Sequence, residues 1–172
     1  PEVVSLAEDP VFRVRKATAL NFHNICKVGG DDELFERLMP AFVRLTKDDM
    51  YRVRRACADS LYNIAQYVSD DIKIGVLVEI YLRFTQDPSR LVKQSILQQS
   101  GMFISVLPPV KVNEHILGYF CSMAKSPSGD LATDEDLRFH CAFTFPAVLK
   151  CIGKERWSEV REVYHSLVQC QA

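Results

Sequence analysis

Carboxylates and guanidinium groups recur along this chain at a fixed interval, and they are the residues best placed to do chemistry. Asp9, Asp48 and Asp87 are spaced 39 residues apart, and each is followed six residues later by a cation: Arg15, Arg54 and Lys93. Arg13 and Arg52 stand beside the first two of these. Such a column admits two kinds of work. It can bind phosphate or acidic peptide from outside, or it can pair internally, aspartate and arginine bonding to each other between stacked units. Semi-buried charges are normally paired, so the internal reading is favoured, and Asp9, Arg15, Asp48, Arg54, Asp87 and Lys93 are read as a structural ladder. The turn itself carries a second column, Phe12, Tyr51 and Arg90. Aromatic and arginine side chains are the types that dominate interface hot spots, which makes Phe12, Arg13, Tyr51, Arg52 and Arg90 a candidate partner-binding ridge. The competing reading has Phe12 and Tyr51 fold back over the adjoining turn.

Enzymatic chemistry finds little to work with. The chain has no glycine-rich phosphate loop, no paired histidines with metal-site spacing and no nucleophile elbow. His140 and Cys141 are adjacent, so on a helix they point about 100° apart and cannot act as base and nucleophile. The six cysteines include no C-x-x-C pair and fall mostly at small apolar positions, as buried reduced thiols do. No catalytic residue, metal ligand or cofactor is assigned, and the expectation is a protein that is not an enzyme. A net charge of −1 over 172 residues, with acids and bases interspersed, gives no field that would favour nucleic acid or an anionic membrane. With no signal stretch and no long apolar run, the expected compartment is cytoplasm, nucleus or both.

The elements that must hold these columns follow the same period. Leu38, Leu77 and Ile116 align, as do Phe42, Tyr81 and Phe120, and Leu45, Phe84 and Met123, at separations that define one helical face. A second helix after each aspartate carries Val14, Val53 and Val92, then Ala17, Ala56 and Ser95, then Ile25, Ile64 and Phe103, then Val28, Tyr67 and Val106. Two helices per repeat of about 40 residues is the signature of HEAT-type repeats, which bury their apolar faces only by stacking. The expected fold is an all-α solenoid of about eight to nine helices. Its units are a partial first repeat at 1–30, a second at 31–69, a third at 70–109, a fourth at 110–153 and the first helix of a fifth at 154–172. Each aspartate is expected at or near a helix N-cap, and Pro40 inside a helix is expected to kink it. The polar, acidic stretch 125–136 reads as a loop that interrupts the fourth repeat, with its second helix at 137–152. Val3 and Leu6 at one end, and Trp157, Val160 and Leu167 at the other, are expected to lie open and to favour end-to-end association.

Certain segments point more narrowly. Arg13-Val14-Arg15-Lys16 leading into Asn21-Phe22 and Asn24-Ile25-Cys26, Asp87-Pro88-Ser89-Arg90 leading to Phe103-Ile104-Ser105, and His140-Cys141-Ala142-Phe143 with Phe145-Pro146, Trp157 and Arg161-Glu162 resemble the regulatory subunit 1 family of protein phosphatase 4. That family is a HEAT-repeat relative of the protein phosphatase 2A scaffold. The resemblance runs over 1–124 and 138–167, and the chain departs from the family by carrying only about a dozen residues where a long acidic insertion is usual. It implies a non-catalytic scaffold whose turn ridge receives a serine/threonine phosphatase catalytic subunit and directs it to phosphoprotein substrates. The alternative is a nuclear transport receptor or cargo adaptor built on the same repeats, which would need apolar slots on its outer face. A hydrolase in its own right is disfavoured by the missing constellations.

Overall fold

A computed structural model describes residues 2–29, 34–125 and 134–169. Among them the regular structure is helical throughout, without strands, and the fold class is the all-α helical repeat expected from the period. The helices are α1 (Glu2–Ala7), α2 (Phe12–Cys26), α3 (Met39–Leu45), α4 (Tyr51–Ala65), α5 (Val78–Thr85), α6 (Arg90–Ser105), α7 (Glu114–Lys125), α8 (Asp134–Ile152) and α9 (Trp157–Gln169). The chain forms two compact units, Pro1–Gln99 and Ser100–Ala172, with the boundary inside α6.

In the first unit, short turns pair α1 with α2 and α3 with α4, and α2 lies against α4. The aligned columns explain why. Phe42, Leu45, Leu77, Tyr81 and Phe84 from the first helix of each hairpin are buried, as are Val53, Ala56, Leu61 and Ile64 from α4. Phe22 meets Phe42 with ring centroids 4.9 Å apart. Small side chains at Ala19, Ala56 and Ala58 bring the helix backbones close. Full burial of each large side chain contributes about 1.5–3 kcal/mol.

One expectation about this unit is corrected. Val28 is 86% exposed and Tyr67 is 41% exposed, so that column lies outside the core. The cause is local: α2 ends at Cys26 and α4 at Ala65, which leaves both residues past the last helical turn. Pro40 lies inside a helical run as expected: the π-turn at Leu34–Leu38 leads directly into α3, with Leu38 in the helical region and Pro40 in the first α-helical turn after it. A second π-turn spans Lys73–Leu77, the same register one repeat later, where Glu79 replaces the proline. The π-turn therefore belongs to the repeat and not to the proline.

In the second unit, α7 packs against α8 and α9, and α8 against α9. Gly101 is required where it stands, because a Cβ there would land on the Thr144 side chain. Phe145, Trp157 and Tyr164 form an aromatic cluster, the Phe145 and Tyr164 rings 5.9 Å apart and those of Trp157 and Tyr164 5.5 Å apart. Helix α8 starts at Asp134, three residues ahead of the expected start. The rest of the expected loop, 126–133, lies outside the described residues. Val160 is buried, against expectation, because α9 turns Val160 and Val163 toward its neighbours; Tyr164 and Val168 are the exposed apolar residues of that helix.

Candidate partner-binding surface

Each helix α2 and α4 is entered from a turn built in the same way. The side chain of Asp9 accepts a hydrogen bond from Val11 N–H at 2.7 Å, that of Asp48 from Met50 N–H at 2.9 Å, and that of Asp87 from Ser89 N–H at 2.8 Å. The aspartates thus close a side-chain turn two residues long. They do not sit at the N-cap itself, which falls on extended Val11 and Met50.

This geometry leaves the carboxylates free to face the preceding repeat. Arg15 Nε donates to Asp48 Oδ2 at 2.6 Å and Nη2 to Oδ1 at 3.1 Å. Arg54 meets Asp87 in the same bidentate way, at 2.8 and 3.0 Å. The remaining terminal nitrogen of each guanidinium donates to its own turn, Arg15 Nη1 to Asp9 O and Arg54 Nη1 to Asp48 O, both at 2.7 Å. One arginine therefore ties two turns together, with all three nitrogens of its planar fork donating. Burial alone would raise the Asp48 carboxyl. The Arg15 hydrogen bond, the Met50 N–H and the charges of Arg15 and Arg54 outweigh it and hold Asp48 below the usual carboxylate range. Hydrogen bonding to Asp48 and Asp87 raises Arg15 and Arg54 in turn.

The ladder residues are not all equivalent. Asp9 has no salt bridge among the described residues, and neither has Lys93. The register position one repeat after Asp87 is Ser126, which offers no carboxylate and lies outside the described residues.

The turn column stands on this base. Phe12 and Tyr51 are half-buried and Arg90 is exposed. Each aromatic ring is covered on one side by its own neighbour: the Arg13 guanidinium lies 6.0 Å from the Phe12 centroid and that of Arg52 lies 5.7 Å from the Tyr51 centroid. Arg13, Lys16 and Arg52 make no ion pair among the described residues. Alongside them, between α2 and α4, run two adjoining grooves of about 360 and 440 Å³ that share Lys16, Leu20 and Arg52. The aligned sequence reveals the columns, but a groove depends on side-chain direction and was not legible there.

The cysteines are placed for packing. Burial pushes Cys26 and Cys141 up to about 12 and raises Cys57 as well, so none of these thiols is a thiolate at neutral pH. Cys151 donates to Ile104 O at 3.2 Å. Among the described residues no group of three or more histidine, cysteine or acidic side chains converges on one point, and no helix is long and apolar enough to cross a membrane.

Residues 38–68 match the HEAT repeat family model, a stretch that covers α3, its turn and α4. No curated protein matches the chain. The matched hairpin and its repetition at 39 residues make this a helical-repeat scaffold or adaptor.

Proposed function

We propose that this scaffold is a non-catalytic regulatory subunit of a serine/threonine protein phosphatase of the protein phosphatase 4 type. The catalytic subunit docks on the ridge formed by Phe12, Arg13, Tyr51, Arg52 and Arg90, and phosphoprotein substrates are held on the same chain. The observation that supports this reading most is the repeated pair of half-exposed aromatic and unpaired arginine, set on turns that the Arg15–Asp48 and Arg54–Asp87 bridges lock in register. Rigid anchors lose little entropy on binding, and an adaptor that holds enzyme and substrate together raises their effective concentration. The compartment that goes with this role is cytoplasm or nucleus. Titration of purified phosphatase 4 catalytic subunit into the chain, read by calorimetry, tests the proposal: saturable binding supports it, and absence of heat at micromolar concentrations refutes it.

A further inference from the structure

The grooves beside the ridge have a chemistry of their own. Arg13 and Lys16 on α2 occupy the same register as Arg52 and Arg55 on α4, so two pairs of cations are repeated one helix apart. All four are exposed, and the lining contains one acid, Asp59, held 4.0 Å from Arg55. The local excess of positive charge stands out in a chain of net charge −1. Between the cations, the lining is apolar: Ala17, Leu20 and Ala56, with Phe12 and Tyr51 at one edge.

Spacing then selects the ligand. Packed helices such as α2 and α4 have axes about 8–10 Å apart. A polyproline II chain has three residues per turn and rises about 3.1 Å per residue, so every third side chain faces the same way about 9 Å further on. A β-strand turns every second side chain the same way, about 6.6 or 13 Å apart, and neither step matches. Aromatic edges are also the surface on which polyproline II segments dock. We infer that the groove between α2 and α4 binds an extended acidic segment of a partner protein, in the polyproline II conformation, with carboxylates three residues apart facing Arg13–Lys16 and Arg52–Arg55. This rests on the adaptor reading and names the partner chemistry that one of its surfaces takes. The groove shares Arg13 and Arg52 with the ridge, so a peptide held there competes with whatever docks on those two side chains. Nucleic acid fits less well, because four cations in two clusters give no continuous track for a phosphate backbone.

Fluorescence anisotropy with three labelled peptides decides the matter on the 172-residue chain. The first is Gly-Pro-Glu-Pro-Pro-Glu-Pro-Gly; the second moves the glutamates to two residues apart; the third replaces both by glutamine. The first peptide is expected to bind at least tenfold more tightly than either of the others, with affinity falling as salt rises. Arg13→Glu with Arg52→Glu, and separately Lys16→Glu, should each weaken it at least tenfold with an unchanged melting curve. Equal binding of the glutamine peptide, or no measurable binding of the first, overturns the inference. Tighter binding of a single-stranded oligonucleotide overturns it too, and assigns the groove to nucleic acid. Phosphatase titration into the parent chain, run in parallel, separates the two proposals, since a parent chain that binds the enzyme and not the first peptide removes only this one.

Discussion

Arg54 reaches 33 residues along the sequence to Asp87 with Nε–Oδ2 at 2.8 Å, and Arg15 reaches Asp48 across the same interval at 2.6 Å. Both aspartates are nearly closed to solvent, with side chains 6% and 8% exposed. Arg44 and Glu8, in contrast, meet at 3.0 Å with both side chains about half exposed. Removing one partner of a buried, hydrogen-bonded pair strands the other charge, so Arg54→Ala is expected to cost on the order of 3 kcal/mol. Arg44→Ala should cost less than about 1 kcal/mol. Urea denaturation of both variants checks the contrast, and equal losses would mean that the ladder does not hold the repeats in register.

Acid should act on the same contact. Because the folded Asp48 carboxyl lies below its unfolded value, its contribution is fully present above the unfolded value of about 3.9 and is lost as pH falls through the lower folded one. Stability measured from pH 5 to pH 2 should therefore drop below about pH 4, and Asp48→Asn, less stable at neutral pH, should show a flatter profile. A variant that keeps the parent's acid slope would place the titrating group elsewhere.

Val53 sits fully buried on α4 among Ala56, Cys57 and Leu61. Val53→Asp puts a carboxylate into a fully buried apolar position, a cost of about 3–5 kcal/mol. Circular dichroism should record a large fall in the melting temperature, with much of the helical signal lost at 37 °C.

Gly101 tests packing in the second unit. Gly101→Ala drives its methyl into Thr144, whose Oγ1 donates to His140 O at 2.7 Å. Overpacking of this kind costs about 1–3 kcal/mol. Adding Thr144→Ala removes the overlap with Oγ1 and leaves the one with the residue-144 Cβ, so the double variant should recover only part of the loss in thermal melts.

Much of this architecture is legible in the sequence because repetition averages out local ambiguity. Phe42, Tyr81 and Phe120 fall in one buried column, and the 39-residue interval between the aspartates brings each within reach of the preceding arginine. What escapes are features that depend on where a helix stops or how its backbone is wound. Val28 follows the period but lies beyond Cys26, the last residue of its helix. The π-turns at Leu34–Leu38 and Lys73–Leu77 change hydrogen-bond pairing without a composition signal, and the one visible cue, Pro40, is present in only the first. Val14, Ala17 and Ile25 occupy the columns of Val53, Ala56 and Ile64, yet none of the three is fully buried as their α4 counterparts are. At the ridge, residue types suggested docking, but the pairing of each aromatic with its own arginine required side-chain geometry.

The central claim is that the turn ridge is where the phosphatase docks. Calorimetric titration of phosphatase 4 catalytic subunit into the parent chain and into the triple variant Phe12→Ala, Tyr51→Ala, Arg90→Ala tests it most directly. The account predicts a loss of about 2 kcal/mol or more, roughly thirtyfold in affinity, with a melting temperature within about 2 °C of the parent because these residues lie outside the packed columns. A triple variant that binds the catalytic subunit as tightly as the parent would contradict the account and move the docking site to another surface.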